Sequence, residues 1–216
     1  MFPKLNKENA SIFRIEHVDN LAWNIEKEFL YSRNSGEVNP TFVNIGNPDL
    51  IDMRSRRVVP VDPGGTLSDY VPFYFTPSSV MMLNILTGQG GIPKRLKSEI
   101  MIFVSSLHKL REIGLKFLFT DRHAYPKDAQ FHSDIARLDQ IHWEILQKRD
   151  FKGEDQYLNK QSYYQAEALI YQRVPLSAIV GICCFNSIVK KRVEADLANF
   201  GSAIPVYERP EYYFPK

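Results

Sequence analysis

Short apolar runs recur along the chain between polar stretches, and each has the length that predicts a β-strand. Seven of these runs lie at residues 11–15, 42–45, 71–75, 100–104, 115–119, 167–171 and 179–184. Other segments space their apolar residues three or four positions apart, which predicts amphipathic helices beginning near Asp19, Ser78 or Ser79, Asp134 and Asn186. Since helices and strands do not alternate regularly, the pattern predicts an α+β domain with a mixed, largely antiparallel sheet.

Residues 40–77 interrupt this pattern. Six prolines and the pair Gly64-Gly65 fall within the segment, and together they predict a long ordered excursion built from turns. Loops of this length inside a compact domain are usually binding loops. The excursion is therefore a candidate part of a functional site.

The composition limits the classes of protein to which the chain can belong. The chain has 216 residues, 44% apolar and 24% charged, so residues 1–216 are expected to form one domain with a sizeable core. No apolar run approaches the ~18 residues of a membrane span, and the start has no apolar signal region. The two cysteines, Cys183 and Cys184, are adjacent and rarely able to form a disulfide, so we expect a reducing cytoplasm.

Several common kinds of site are excluded by spacing. The segment Gly88-Gln89-Gly90-Gly91 lacks the spacing of a dinucleotide fingerprint, and no phosphate-binding P-loop sequence occurs. The five histidines and two cysteines do not have the spacing of zinc ligands, so no metal is expected. The sequence also lacks the GxSxG motif of enzymes with a serine nucleophile.

Basic residues are concentrated between Lys94 and Lys127. Eight Lys and Arg residues stand there against three acids, and a second basic cluster occurs at residues 54–57. Cations interleaved with aromatic rings suit a single-stranded nucleic acid, because cations bind phosphates and rings stack on bases. Taken alone this signal is weak, and a solvated charged face is the simpler explanation of the same residues.

One carboxylate is unusually placed. Glu167 heads an apolar strand three positions after the aromatic pair Tyr163-Tyr164. Such a carboxylate is either a partly desolvated group aimed into a cleft or a cap at the surface of the strand. The residues alone leave both interpretations open.

Five segments in order resemble the DarT family of DNA ADP-ribosyltransferases. They read FRIEHVDNL, GNPDLIDMR, VPVDPGGTLSDYVPFYF, FTDRHA and QAE, at residues 13–21, 46–54, 59–75, 119–124 and 165–167. The similarity extends over about residues 12–185, and the Pro-Gly-Gly-Thr-Leu block together with the Gln-Ala-Glu tripeptide makes it specific.

The resemblance implies an ADP-ribosyltransferase fold, with a split, mostly antiparallel β core, flanking helices and NAD in the cleft. Family members transfer ADP-ribose from NAD to a base of single-stranded DNA, thymine in one branch and guanine in another. They are bacterial toxins that pair with a macrodomain antitoxin. RNA or protein as acceptor, and a nucleic-acid-binding module without catalysis, remain alternative hypotheses.

The resemblance also implies roles for individual residues. The catalytic residues correspond to Glu167 and Arg54, with Arg56 and Arg57 as alternatives for the arginine. Contacts to NAD correspond to Glu16, His17, Val18, Asn24, Arg54 and Tyr74, although Glu16 departs from the Thr or Ser usual at its position. Residues 120–160 correspond to the substrate-recognition region, and the predicted DNA contacts are Lys94, Arg122, His123 and Lys127. Arg122 replaces the glycine of a family Asp-Gly-His-Ala pattern.

Overall fold

The computed structural model describes residue 2 and residues 4–149 and 160–214 of the chain. Its strands are β1 (Ser11–His17), β2 (Phe29–Tyr31), β3 (Tyr70–Tyr74), β4 (Ile100–Ser106), β5 (Phe117–Thr120), β6 (Phe131–His132), β7 (Glu167–Tyr171), β8 (Arg173–Pro175), β9 (Gly181–Cys184) and β10 (Val206–Glu208). Its α-helices are α1 (Leu21–Lys27), α2 (Pro48–Arg56), α3 (Val80–Thr87), α4 (Leu107–Glu112), α5 (Trp143–Lys148), α6 (Lys160–Tyr163) and α7 (Ser187–Asn199). Short 3-10 helices occupy Val18–Asn20, Leu67–Asp69, Gln89–Gly91, Lys97–Glu99, Ile135–Gln140, Leu176–Ala178 and Pro210–Tyr212.

Eight strands form the main sheet, in the order β10-β9-β4-β1-β3-β7-β5-β6. Neighbouring strands are antiparallel except β9 and β10, which are parallel. Strands β2 and β8 pair separately as a small antiparallel sheet. The predicted α+β fold with a mostly antiparallel sheet is therefore confirmed.

The main sheet is split between β1 and β3. Strand β1 pairs with β4 along its whole length, and β3 pairs with β7 along its whole length. Between β1 and β3, however, the register contains one pair, Phe13 with Tyr74. The Arg14 side chain spans the gap just beyond this point, since its Nη1 donates to the Pro72 carbonyl at 3.2 Å. The two halves are thus joined at one end and open at the other.

Side chains on both faces of the central strands are buried, which explains why these strands read as continuous apolar runs. Phe73, Phe103 and Phe119 are fully buried on three different strands. Two predicted helices have the expected signals: Ser79 caps α3, which ends at Gly88 with φ 79°, and Asn186 caps α7.

The predicted strand at residues 42–45 is wrong, because this segment is irregular in the structure. The buried side chain of Asn20 occupies the backbone groups that a strand would use. Its Oδ1 accepts from the Val43 N–H at 2.8 Å, and its Nδ2 donates to the Val43 carbonyl at 3.1 Å. This contact fixes the excursion to the end of β1.

The predicted helix from Asp134 is broken into a 3-10 helix and α5. The carbonyl of Leu138 is the acceptor that His142 would need to continue the helix. It accepts instead from the Trp143 indole N–H at 2.7 Å. The start predicted at Asp19 is also corrected, since the His17 ring caps that turn by accepting from the Asp19 N–H.

Candidate active site

Glu167 lies where the two halves of the sheet are still joined. Phe13 pairs with Tyr74, and Tyr74 pairs in turn with Glu167, the first residue of β7. Glu167 is fully buried. Its backbone N–H donates to Thr120 Oγ1 at 3.3 Å, and its Oε1 accepts from the Ala124 N–H at 3.0 Å. The predicted catalytic carboxylate is therefore a fixed, buried group rather than a surface cap.

Arg54 reaches this carboxylate from the last turn of α2. The helix begins at Pro48, and the preceding Asn47 caps it by accepting from the Leu50 N–H at 3.0 Å. Arg54 Nη1 lies 3.1 Å from Glu167 Oε1 and 2.9 Å from Oε2. The excursion thus supplies a guanidinium that faces the buried acid.

The other two arginines of the cluster point elsewhere. Arg56 is exposed and pairs with Asp52 one turn earlier in α2. Arg57 extends to the loop after β5, where its Nη2 donates to the Pro126 carbonyl at 3.2 Å. Of the three candidates named from the sequence, Arg54 is the one that contacts Glu167.

The pair formed by Arg54 and Glu167 is incomplete. Glu167 Oε2 and Arg54 Nη2 are both buried, and neither has a hydrogen-bond partner among the described residues. Oε2 is in ion-pair contact with Nη1, but it accepts no hydrogen bond from it. One acceptor and one donor of this pair therefore have no partner in the described part of the chain, and a hydroxyl group is able both to donate and to accept.

Two neighbouring side chains are held neutral. His123 Nε2 lies 3.5 Å from Glu167 Oε1. Burial lowers the pKa of His123 and nearby Arg54 lowers it further, against an opposing effect from Glu167, so the ring is neutral at pH 7. Burial and then the Glu167 charge raise the pKa of Tyr74, whose hydroxyl donates to Met81 Sδ at 3.4 Å.

Glu16 sits on the other side of the split with both oxygens occupied. Oε2 accepts from Arg14 Nε at 3.0 Å, and Oε1 accepts from Asn20 Nδ2 at 2.8 Å. Because Asn20 in turn binds Val43, this carboxylate supports the wall of the cleft. The predicted contact of Glu16 with NAD stays a prediction, and its side chain has internal partners at both oxygens.

Two residues predicted to contact NAD have a buried N–H donor that finds no acceptor among the described residues. His17 Nδ1 accepts from the Asp19 N–H at 3.2 Å, so Nε2 is the ring nitrogen that carries a proton and donates. This Nε2 has no hydrogen-bond partner among the described residues, and Glu99 Oε1 is 3.6 Å away. Asn24 Nδ2 is likewise buried and unpartnered in the described part of the chain. Val18, by contrast, belongs to the apolar core.

The predicted DNA contacts are divided between two loops. Arg122, His123 and Lys127 follow β5, in the loop that also contacts Glu167, whereas Lys94 is exposed between α3 and β4. Arg122 is held by Asp121 at 2.8 Å and Asp128 at 2.7 Å, so its charge is already matched within the protein. Lys127 is exposed. The remainder of the predicted recognition region, residues 150–159, lies outside the described residues.

Two residues near the carboxylate are not identifiable from sequence reasoning as site residues. Ala124 acts through its backbone N–H, which any residue except proline would supply. Thr120 acts through a side-chain oxygen that accepts from the Glu167 N–H. Their only sequence signal is their place in the FTDRHA segment.

A search of the described residues finds no group of three or more His, Cys, Asp or Glu side chains able to hold a metal ion. Within the same residues, no helix has the length and apolar character to cross a membrane.

The fold has counterparts among solved structures. Thermus sp. 2.9 DarT in complex with ADP-ribosylated ssDNA matches with a TM-score of 0.89 and 30% identity, over 99% of each chain. The same protein in complex with NAD+ matches with a TM-score of 0.83 and 31% identity, over 99% of this chain and 100% of that one. Fold and site together define an ADP-ribosyltransferase whose substrate is NAD.

Relatives in sequence show which kind of ADP-ribosyltransferase the chain is. A DNA ADP-ribosyl transferase of Escherichia coli O127:H6 is 43% identical over 210 residues, covering 97% of this chain and 96% of the relative. A family model described as ssDNA thymidine ADP-ribosyltransferase, DarT, matches residues 13–214. The chain therefore belongs to the DarT family and is an NAD-dependent DNA ADP-ribosyltransferase.

Proposed function

We propose that the chain transfers ADP-ribose from NAD to thymine in single-stranded DNA, with Glu167 and Arg54 at the reacting centre. The family description supports thymidine as the acceptor. The observation that carries the assignment of residues is the incomplete pair, in which Glu167 Oε2 and Arg54 Nη2 lack partners. Leaving buried polar groups unsatisfied costs about 1–3 kcal/mol each, so such groups point to a ligand.

The NAD side of the cleft would be formed by β1 and the excursion. His17 Nε2–H and Asn24 Nδ2–H are buried donors that suit carbonyl or hydroxyl oxygens of the dinucleotide. Arg33 adds positive charge for the diphosphate. The pKa of Arg33 is lowered by desolvation and then by nearby Arg14, and an anion bound there would relieve this repulsion.

Glu167 would act on the sugar that is transferred. The bond between the nicotinamide nitrogen and C1 of the ribose breaks, nicotinamide leaves with the electron pair, and positive charge develops on the sugar. A carboxylate fixed at the 2′-hydroxyl stabilises that charge where it develops. The Ala124 N–H and the Thr120 hydroxyl hold Glu167 in place before the reaction, so no reorganisation is needed.

Arg54 would act on the acceptor base. A thymine ring nitrogen forms the new bond to C1 and loses its proton, so negative charge must be stabilised on the base. The positive guanidinium of Arg54 stabilises this negative charge. It is not a general base, because arginine is not deprotonated in proteins. His123 is a neutral neighbouring side chain able to accept the proton.

The DNA side would be the loop after β5. His123 and Lys127 are on this loop, and the partly buried rings of Tyr125 and Phe131 are close to them in sequence. Lys94 would contact a more distant part of the strand. Arg122, already paired with two acids, would shape the loop rather than bind phosphate.

We further propose that the chain is a toxin whose modification is reversed or blocked by a macrodomain antitoxin. The family to which the chain belongs supports this partner. Co-expression tests it: the chain alone should arrest bacterial growth, and a macrodomain hydrolase should restore it. Growth arrest that persists when Glu167 is replaced by Gln would contradict enzymatic toxicity.

The acceptor is tested by mass spectrometry. The chain is incubated with NAD and oligonucleotides that contain or lack thymine, beside a guanine-only oligonucleotide, an RNA and a protein. We expect a gain of one ADP-ribose on the thymine-bearing DNA alone. Modification of the guanine-only DNA, the RNA or the protein at a similar rate would overturn thymine specificity.

A further inference from the structure

Arg57 is left without a role by the reaction described above. It follows the last residue of α2 in an extended conformation, and both of its backbone groups are bonded. Its N–H donates to the Arg54 carbonyl at 3.2 Å, and its carbonyl accepts from the Leu67 N–H at 3.0 Å. The start of the side chain is therefore fixed relative to Arg54.

The other end of Arg57 is held by the loop after β5. Nη2 donates to the Pro126 carbonyl at 3.2 Å. The guanidinium carbon lies 6.0 Å from the centre of the Phe131 ring, within the range of a cation–π contact. One planar group thus contacts two points of residues 121–131, the segment that we call the acceptor loop.

The acceptor loop also carries contacts to the reacting carboxylate. Ala124, two residues before Pro126, donates its N–H to Glu167, and His123 lies beside the same oxygen. Arg57 therefore connects the helix that positions Arg54 to the loop that positions Glu167 and, under the proposed function, the DNA.

We propose that Arg57 is a positioning residue that fixes the acceptor loop against α2 and so sets the geometry of the DNA base. The inference rests on the proposed role of the acceptor loop in binding DNA. A lysine cannot replace Arg57 in this role, because an ammonium group has no planar face to stack on Phe131 while it binds Pro126. Arg57 Nε has no partner in the described residues, so direct binding of a DNA phosphate is the competing outcome of the test.

Steady-state constants for the two substrates provide the test. In Arg57→Ala and Arg57→Lys we expect KM for a thymine oligonucleotide to rise about tenfold, while KM for NAD changes less than twofold. Arg56→Ala is the matched control, since Arg56 is exposed and pairs only with Asp52 among its described contacts. The control should keep both constants within twofold.

The salt dependence of DNA binding separates positioning from phosphate contact. A lost phosphate contact lowers the slope of log affinity against log salt by about 0.7 for single strands. We expect Arg57→Ala to keep the wild-type slope. A slope lowered by that amount, or a wild-type DNA KM in Arg57→Lys, would overturn the positioning role.

Thermal unfolding will show whether Arg57→Ala folds. If it does not, a second variant tests the same contact. Phe131→Leu removes the stacking partner and should raise the DNA KM by a similar factor. The DNA KM of the double variant should be no higher than that of the worse single variant. A DNA KM raised by the product of the two single effects would contradict a contact that both residues share. If wild-type enzyme fails to modify thymine DNA, the proposed function fails; if it succeeds and the variants keep their DNA KM, this inference alone fails.

Discussion

Two buried glutamates flank the split in the sheet, and they differ in how completely they are paired. Glu16 and Glu167 each have an arginine partner and a second donor, and both are at most 3% exposed. Every carboxylate oxygen of Glu16 accepts a hydrogen bond, from Arg14 or Asn20. Among the described residues, Glu167 keeps one oxygen without a hydrogen bond, and its partner Arg54 keeps one nitrogen without a hydrogen bond.

This difference separates a structural ion pair from a functional one. Removing one partner of a saturated buried pair leaves an uncompensated polar group and costs stability. An unsaturated pair already carries that cost, and a substrate recovers it on binding. We therefore expect changes at Glu16 to affect mainly folding and changes at Glu167 to affect mainly turnover.

The largest effect is expected for Glu167→Gln. The amide keeps the size of the side chain but removes the charge that stabilises the developing sugar cation, so turnover should fall about 10²–10³-fold. Mass spectrometry of a thymine oligonucleotide measures it. Turnover above about a tenth of the wild-type value would show that this carboxylate is not at the reacting centre.

Arg54→Lys should lose nearly as much activity as Arg54→Ala, roughly a hundredfold. An ammonium group carries all its donors on one nitrogen, so it cannot place one donor at Glu167 and another at the separate position that Nη2 occupies in the planar guanidinium. The same kinetic assay measures both variants, with Arg56→Lys as a control that should stay within twofold. Substantial activity in Arg54→Lys would mean that charge alone is sufficient.

Glu16→Gln should lower the free energy of unfolding by about 2 kcal/mol, since an amide cannot accept both donors. Denaturant unfolding measures the loss, with Glu167→Gln as the matched comparison. A smaller loss is expected there, because that pair is incomplete. Equal losses in the two variants would remove the distinction between the pairs.

Asn24→Leu should have smaller effects, one on stability and one on the KM for NAD. The change removes a buried donor that has no acceptor in the described residues, so stability should stay equal or rise by up to about 1 kcal/mol. KM for NAD should nevertheless rise several-fold. Unfolding and NAD kinetics on one preparation check both, and an unchanged KM would remove Asn24 from the NAD site.

The smallest effect concerns pH. His123 has a lowered pKa in the folded protein, so the unfolded chain binds more protons between that value and its ordinary value near 6.5. The stability contributed by neutral His123 is therefore present above pH 6.5 and is lost as the pH falls through the folded pKa. His123→Gln should flatten the decline of unfolding free energy below pH 6.5, and an unaltered profile would contradict the burial of a neutral ring.

The sequence was informative where the signal is local. Caps such as Ser79, Asn186 and the turn at Gly88 are short-range signals, and the helices that they bound are present. The three sequence errors arise where a side chain bonds to a backbone group. Asn20 binds Val43 from 23 positions away, and the Trp143 indole takes the Leu138 carbonyl. The His17 ring accepts from the Asp19 N–H. No periodicity reports such contacts.

The candidate site likewise has a part that the sequence predicts and a part that depends on contacts between distant residues. Glu167 and Arg54 were identified by resemblance, but they are 113 positions apart, and their contact depends on the tertiary fold. Which of two buried glutamates keeps a free oxygen depends on atoms from several elements. That distinction was therefore outside the reach of sequence reasoning.

We expect a ribose hydroxyl to complete the pair between Glu167 and Arg54, and a combined change of substrate and enzyme shows whether it does. Turnover is measured for wild-type enzyme and Glu167→Gln, each with NAD and with NAD lacking the 2′-hydroxyl of the nicotinamide ribose. We predict that removing the hydroxyl changes the wild-type rate strongly and the variant rate very little. Equal fold-changes in both enzymes would mean that Glu167 does not bind this hydroxyl, and would contradict the account.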